Sequence, residues 1–159
     1  MEELVLDIET DWYRQITVLG FRSSSTGLVQ LVGDEVTRRR LLRELPRRAI
    51  LFTYNGHCFD LPIIRSQLGV DLRETFDSHD LRFVCQRAGL KGGLKAVEHR
   101  IGVRRKLRGL DGWDAIALWS AFEEGNRTAL KKLLGYNAED LAGLRAIRRY
   151  LKARGHLEI

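Results

Sequence analysis

The feature that most constrains the fold is a short, mostly apolar segment near the N-terminus, residues 3–8. A strand that is apolar at nearly every position is typical of the centre of a sheet covered on both faces. Asp7 and Glu9 lie two positions apart on this strand or at its end, so both side chains point to the same face. Two like charges there repel each other and are costly to desolvate, and a bound divalent cation removes both problems. The alternative is that the strand ends at Leu6 and that both acids are exposed.

The rest of the chain predicts three strands in succession, then alternating helices and strands, then helices. Strands are predicted over residues 3–8, 15–21, 28–32 and 49–54, and helices over residues 36–45 and 59–68. A turn cluster at residues 23–27 joins the second and third strands in a hairpin. A further short strand is predicted within residues 70–77, and helix to the end, with breaks at residues 89–93, 102–109, 125 and 135. This order predicts an α/β fold, a mixed sheet flanked by helices, in a single domain over residues 1–159.

The charge of the chain suggests one class of partner. There are 27 Lys and Arg residues against 21 Asp and Glu residues, giving a net charge of +6 and a pI of about 9.7. Basic residues cluster at positions 38–40, 47–48, 104–108 and 148–149. Arg forms planar, bidentate contacts with phosphate, so a polyanionic partner such as nucleic acid is one interpretation. The other is a set of solvated helix faces.

Composition also bounds where the chain is expected to act. Its longest apolar runs are too short to span a bilayer, and its start lacks the basic region of a signal peptide. Two cysteines, Cys58 and Cys85, provide neither a disulfide framework nor a paired metal motif. A reducing cytoplasmic location is therefore expected, with no membrane partner.

A further acid, Asp60, follows the apolar strand predicted at residues 49–54. It ends the segment 55–60, Asn-Gly-His-Cys-Phe-Asp. Asn-Gly is a hairpin signal, but the helical spacing that follows argues against a hairpin. Asp60 is alternatively a helix N-cap with Pro62 in the first turn. A cap and a metal-facing carboxylate can occupy the same helix start.

The last candidate acid, Asp140, ends the segment 136–140, Tyr-Asn-Ala-Glu-Asp. If this segment is helical, Tyr136 and Asp140 are four residues apart and share a face. The alternative is a helix start, with Asn137 as the N-cap and Tyr136 packed onto Leu141 as a hydrophobic staple.

The four acids occur where predicted strands end or helices begin, which is where an α/β sheet presents a site. In order, they resemble the three exonuclease motifs of the DEDD superfamily, on the ribonuclease-H-like fold. Residues 6–10, Leu-Asp-Ile-Glu-Thr, resemble the first motif, and residues 55–60 resemble the second, Asn-x-x-x-Phe-Asp. Residues 136–140 resemble the third in its tyrosine form, Tyr-x-x-x-Asp, which marks the DEDDy branch. Residues 93–98, 111–114 and 134–137 further resemble compact YprB-type members, so the similarity runs through nearly the whole chain.

The resemblance implies a mixed five-stranded sheet, with a three-strand antiparallel meander plus two parallel strands. It implies 3′-to-5′ removal of nucleotides from single-stranded DNA or RNA ends, with release of nucleoside 5′-monophosphates. It also implies two divalent ions, Mg²⁺ or Mn²⁺, which suit hard oxygen ligands. Carried over by position, Asp7 bridges both ions. Glu9 and Asp140 help to hold the ion that carries the attacking water. Asp60 helps to hold the second ion, and Tyr136 orients the nucleophile through its hydroxyl.

Four more residues are candidate substrate contacts or supports. Asn55 is interpreted as a contact to the nucleic-acid backbone or sugar, and Phe59 as packing behind Asp60. The alternatives are a turn residue and a core residue. Thr10 closes the first motif. Arg105 lies in a basic segment bounded by glycines, where a loop can meet a phosphate backbone or can simply be solvated.

Two other functions stay open on the sequence alone. One is a structure-specific ribonuclease-H-like endonuclease, against which the Tyr-x-x-x-Asp pattern argues. The other is a non-catalytic nucleic-acid-binding module of the same fold, against which the presence of all four acids and Tyr136 argues. The histidines lack zinc-ligand spacing, and the adjacent His57 and Cys58 do not suit a nucleophile pair. The sequence identifies no protein partner and does not distinguish DNA from RNA.

Overall fold

The computed structural model describes residues 1–159, which form one mixed sheet with helices on both faces. The strands are β1 (Glu2–Thr10), β2 (Ile16–Ser23), β3 (Gly27–Val32), β4 (Ala49–Thr53) and β5 (Asp77–Asp80). The helices are α1 (Arg38–Glu44), α2 (Asp60–Leu68), α3 (Leu72–Thr75), α4 (Leu81–Arg87), α5 (Leu94–Arg100), α6 (Gly112–Glu123) and α7 (Arg127–Ala153), with a 3-10 turn at Gly33–Glu35. None of these helices is both long and apolar enough to traverse a bilayer.

The strand order β3-β2-β1-β4-β5 confirms the predicted sheet. Strands β1, β2 and β3 form the antiparallel meander, and β4 and β5 run parallel to β1. The β1–β4 ladder runs only from Glu2 to Val5 on β1, whereas β2 pairs with β1 as far as Thr10. The last residues of β1 therefore have no partner on β4. They extend past β4 at the end of the sheet where the parallel strands terminate.

The two faces of β1 explain its apolar sequence. Leu4, Leu6 and Ile8 belong to a core cluster packed against α1 and α2, whereas Val5 belongs to a second cluster packed against α4, α5 and α7. Fully burying each such side chain contributes about 1.5–3 kcal/mol. Because the strand period is two, the residues after Val5 on the same face are the acids at positions 7 and 9. The carboxylates therefore lie on the face that α7 covers.

One predicted element was wrong in the region 70–77. Residues 72–75 form the short helix α3, because Asp71 caps it by accepting a hydrogen bond from Arg73 N at 3.0 Å. The strand instead occupies Asp77–Asp80. Its sequence, Asp-Ser-His-Asp, has no apolar alternation, which is tolerated because β5 is a short edge strand.

The predicted helix break at Gly135 is also wrong, because α7 runs unbroken through it. A Cβ at Gly135 would lie 3.1 Å from Leu107 Cδ1, so this glycine permits close packing of the preceding loop. The N-cap of α7 is Asn126, which accepts from Ala129 N at 3.1 Å. The alternative that Asn137 starts a helix is therefore wrong.

Candidate active site

Three carboxylates meet where the end of β1 passes beneath α7. One oxygen from each of Asp7, Glu9 and Asp140 lies within 4.8 Å of the others. Asp7 is partly exposed, whereas Glu9 and Asp140 are only 8% and 6% exposed. The two-residue strand period supplies the first two acids, and the middle of a 27-residue helix supplies the third. We call Asp7, Glu9 and Asp140 the acidic cluster.

A buried amide holds α7 over β1 at this point. Asn137 Nδ2 donates to Asp7 Oδ2 at 3.1 Å and to the Asp7 carbonyl at 3.2 Å. Its Oδ1 accepts from Gln30 Nε2 at 3.0 Å, and Gln30 also donates to the Leu134 carbonyl at 2.8 Å. Gly20 pairs with Asp7 in the sheet, and a Cβ there would lie 2.0 Å from Asn137 Oδ1. The absence of a side chain at Gly20 therefore makes room for the amide that orients Asp7.

Asp60 lies beside the acidic cluster but not within it. It is the first residue of α2 and is 5% exposed, and its Oδ1 accepts from the Ile8 amide at 3.3 Å. That amide lies between Asp7 and Glu9 in the chain. The N-cap of α2 is Phe59, which makes no side-chain capping bond, so the interpretation of Asp60 as the N-cap is wrong. The Asp60 carboxylate is directed to β1 instead.

The charges of these acids are strongly coupled. Burial raises the pKa of Asp7 and of Glu9 well above the usual carboxyl value, and the charge of Asp140 raises both further. Burial also raises the pKa of Asp140, although Arg105 opposes the rise. Burial raises the pKa of Asp60 to about 7. Bound protons relieve the repulsion between these carboxylates. Another cation that contacts the same oxygens would relieve it in the same way.

Arg105 is one cation that already contacts the cluster. Its side chain is 9% exposed, and its Nη2 lies 2.5 Å from Asp140 Oδ1. Its Nε and Nη2 also donate to the two Glu98 oxygens, each at 2.6 Å. Glu98 is 2% exposed and fits against α7 only because position 143 is glycine, where a Cβ would lie 1.8 Å from Glu98 Oε1. Arg105 therefore lies in a buried ion pair, and not with its guanidinium free in a solvated loop.

Tyr136 lies one helical turn before Asp140 and is 3% exposed. Lys95 Nζ lies 2.5 Å from the Tyr136 hydroxyl and 4.5 Å from the centre of its ring. Burial raises the pKa of Tyr136, and the charge of Asp140 raises it further. The phenol therefore keeps its proton at neutral pH and is available as a hydrogen-bond donor.

The remaining sequence candidates surround the cluster. Asn55 has φ +60 in the loop after β4, and its Oδ1 accepts from Arg82 Nη1 at 2.8 Å. Phe59 packs against the core cluster under α2, and Thr10 ends β1. The structure thus brings three of the four acids together in one cluster, and places Asp60, Tyr136, Asn55, Phe59 and Thr10 around it.

Two clefts open beside the cluster. The first, of about 430 Å³, is lined by Asp7, Asp140, Asn55, Arg82 and Lys95, among others; we call it the cationic cleft. The second, of about 470 Å³, is lined by Glu9, Thr10, Phe59 and Trp113, among others; we call it the aromatic cleft. The acidic cluster therefore lies between two surfaces of different chemistry.

The residues present fit divalent cations. Buried Glu9 Oε1 has no hydrogen-bond partner, whereas Asp140 Oδ1 is already paired with the Arg105 guanidinium. Buried polar atoms are normally paired, so an unpaired carboxylate oxygen facing like charges indicates a missing positive partner. All the available ligands are hard oxygens, the donor set that Mg²⁺ and Mn²⁺ prefer.

Sequence reasoning missed the residues that hold the acids in place. The sequence suggests Asn137 as a helix cap and as part of the segment 134–137, but not as the residue that orients Asp7, and Gln30, Gly20 and Gly143 carry no local signal. Glu98 was noted only within the segment 93–98. The signal that was available is the spacing of Asn137 and Asp140, three apart on a helix and thus on one face.

The mixed sheet, with carboxylates at the end of its central strand, defines a protein of the ribonuclease-H-like class. A family model described as the RNase_H superfamily matches residues 4–152, and the chain belongs to that superfamily. This membership supports a nuclease, a hydrolase acting on nucleic acid.

A solved structure shows the same fold. It is that of the family B DNA polymerase from the hyperthermophilic archaeon Pyrobaculum calidifontis, with a TM-score of 0.73 and 18% sequence identity. The match covers 95% of this chain and 24% of that chain, so the chain spans about a quarter of the polymerase. No curated protein matches the chain.

Proposed function

We propose that the protein is a metal-dependent 3′-to-5′ exonuclease that hydrolyses single-stranded DNA or RNA ends and releases nucleoside 5′-monophosphates. The observation that carries this proposal is the acidic cluster, with Asp60 bonded to the strand between its first two members. The Tyr-x-x-x-Asp arrangement on α7 supports the DEDDy, YprB-type assignment within the superfamily. We treat residues 1–159 as one nuclease domain, and a cytoplasmic location stays a prediction.

Asp7, Glu9, Asp60 and Asp140 are the residues that would hold two Mg²⁺ or Mn²⁺ ions. Such ions activate water and neutralise the oxygens of a phosphodiester. The chain positions this set by independent means: Asn137 orients Asp7, and the Ile8 amide orients Asp60. Arg105 holds Asp140, so its effect on the substrate passes through that carboxylate.

The neighbouring polar groups suit binding of the strand end. Tyr136 keeps its proton and can donate a hydrogen bond to an attacking water or to a phosphate oxygen. Lys95 and Arg82 line the cationic cleft with the carboxylates, and we assign them to the phosphate backbone. Asn55 lies in the same cleft and is assigned to a sugar or backbone contact.

Nuclease digestion tests the proposal directly. We expect the protein with Mn²⁺ to shorten a 3′-blocked strand slowly, a free 3′ end rapidly and a circular single strand not at all. Labelling at the 5′ end should give a ladder of shortened strands, and the released product should be the 5′-monophosphate. Cleavage of the circle would indicate the endonuclease instead. Binding without cleavage in any divalent ion would indicate the non-catalytic module.

A further inference from the structure

Two tryptophans from distant parts of the chain meet on the surface next to the acidic cluster. Trp12 follows β1 and Trp113 is the second residue of α6, and their ring centres lie 5.1 Å apart with the planes at 44°. They remain 64% and 66% exposed despite this contact. Large exposed aromatic surfaces in a folded protein are typical of binding sites.

The loop that carries Trp12 is held firmly. The Asp11 carboxylate accepts from Tyr13 N at 2.8 Å and from Gln15 N at 2.9 Å. Gln67 on α2 donates to the Arg14 carbonyl at 2.5 Å and accepts from Ile16 N at 3.0 Å. The loop is thus fastened both to itself and to the helix that presents Asp60.

Hydrogen bonds also fix the backbone at Trp113. Asp111 accepts from Trp113 N at 2.9 Å and from Asp114 N at 3.0 Å, and Asp114 accepts from Asp111 N at 2.8 Å in return. This reciprocal cap fixes the first turn of α6. Both indoles therefore stand on ordered backbone, which lowers the entropic cost of binding a ligand against them.

The pair lies next to the cleft that contains part of the acidic cluster. Trp113 lines the aromatic cleft together with Glu9 and Thr10, and Trp12 follows Thr10 by two residues. No Lys or Arg lines this cleft, whereas Lys95 and Arg82 line the cationic cleft. The aromatic side is therefore suited to an uncharged, flat group, and the cationic side to phosphates.

We propose that Trp12 and Trp113 form a stacking platform for a nucleobase at the end of the single strand. This inference rests on the proposed function, because the strand end must lie at the acidic cluster. Every base has a π-face, so stacking on tryptophan holds an end without reading its sequence. The platform explains how one site accepts successive nucleotides of any type.

Binding to matched strands tests the platform. In an Asp7→Asn background with Mn²⁺, we measure the affinity for oligothymidylate and for the same strand with an abasic tetrahydrofuran residue at its 3′ end. Trp12→Ala and Trp113→Ala should each weaken oligothymidylate binding about 10-fold, the effect of losing one stacked base, and should change binding of the abasic strand little. Tyr13→Ala is the matched control, since Tyr13 is exposed on the same loop but is outside the pair.

Each result separates the platform from the nuclease activity. Equal affinities in the parent and both tryptophan variants, or equal weakening toward both strands, overturn the platform. A change of oligomeric state on removing either tryptophan, with unchanged strand binding, also overturns it and makes the pair a protein contact. If the wild-type chain cleaves nothing but the contrast between the two strands holds, the nuclease proposal fails and the platform stands.

Discussion

Asp80 and the acidic cluster lie at the same end of the sheet, but their carboxylates have opposite surroundings. Asp80, at the junction of β5 and α4, is 4% exposed and accepts from three backbone amides: Asn55 N at 2.8 Å, Arg82 N at 3.0 Å and His57 N at 3.1 Å. The acidic cluster receives few such donors, and its members face one another. Glu9 and Asp140 are buried to a similar extent as Asp80, but they lack its hydrogen bonds from backbone amides.

The difference distinguishes a carboxylate with a structural role from the carboxylates that we propose bind cations. Amide donors compensate the buried charge of Asp80, so that carboxylate organises the loop carrying Asn55 and needs no other partner. In the acidic cluster the compensation is incomplete, and burial together with mutual repulsion raises the carboxyl pKa values. A buried acid without donors is thus the better indicator of a cation site than a buried acid alone.

The largest expected effect follows from removing a cluster acid. Asp7→Asn or Asp140→Asn should lower the nuclease rate more than about 1000-fold, since losing even one electrostatic contact at a developing charge costs ~10²–10³-fold. The melting temperature without metal should stay equal or rise, because carboxylate repulsion is relieved. Single-turnover digestion and thermal unfolding measure the two quantities. Near wild-type activity in either variant would contradict the metal assignment.

The next largest effect concerns a carboxylate balanced by a guanidinium. Arg105→Met should lower the free energy of unfolding by about 3–5 kcal/mol, because it leaves Glu98 buried without its partner. Arg104→Met is the control: this neighbour is exposed, and its change should stay within about 0.5 kcal/mol. Urea denaturation measures both. Equal midpoints for the two variants would show that the buried pair contributes nothing, and adding Glu98→Gln to Arg105→Met should recover part of the loss.

Asp80 provides the direct contrast to Asp7. Asp80→Ala should lower the free energy of unfolding by about 3 kcal/mol, because three partly buried backbone amides lose their acceptor. Asp77→Ala, at a 62% exposed position of the same strand, should change it by less than about 0.5 kcal/mol. Urea denaturation of both variants measures these two changes in the free energy of unfolding. If Asp80→Ala were as stable as the wild type while Asp7→Asn lost stability, Asp7 and not Asp80 would be the carboxylate that stabilises the fold.

Local patterns in the sequence predicted the features that depend on neighbouring residues. The two-residue period placed Asp7 and Glu9 on one face, and the four-residue spacing placed Tyr136 and Asp140 together. The apolar strands predicted a meander within a mixed sheet flanked by helices. The position of edge strand β5 was not predicted, because its four residues are all polar and show no hydrophobic alternation.

Features that depend on distant pairs were not predictable from one sequence. Gly20 looks like any strand glycine until Asn137, on another element, is packed against it. The same holds for Gly143, whose missing side chain accommodates Glu98. In the sequence, Arg105 is indistinguishable from the other basic residues of its loop, because no neighbouring residue indicates that its guanidinium is buried. Pairwise packing decides these roles, and single-residue patterns do not encode it.

The smallest expected effect is a pH dependence of the free energy of unfolding that arises from the carboxyl of Asp60, beside the acidic cluster. Burial raises the pKa of Asp60 to about 7, so folded, metal-free protein keeps a proton that the unfolded chain releases near pH 4. The native state then binds more protons than the unfolded state, and the free energy of unfolding falls as pH rises from about 4 to 7. Burial lowers the pKa of His57, which acts in the opposite direction, so a comparison with Asp60→Asn is required.

In EDTA, we expect the wild-type melting temperature to fall by about 5–10 °C more than that of Asp60→Asn between pH 5 and pH 7.5. Holding one proton over about two pH units contributes about 2.7 kcal/mol, and about 1 kcal/mol corresponds to about 2–4 °C in a domain of this size. Both proteins carry the same histidines, so the difference isolates the carboxylate. Adding Mn²⁺ should remove the difference and stabilise the wild type more at pH 7.5 than at pH 5, because the cation competes with protons for the same oxygens. Parallel melting curves with and without Mn²⁺ would mean that Asp60 is already ionised in the folded, metal-free protein.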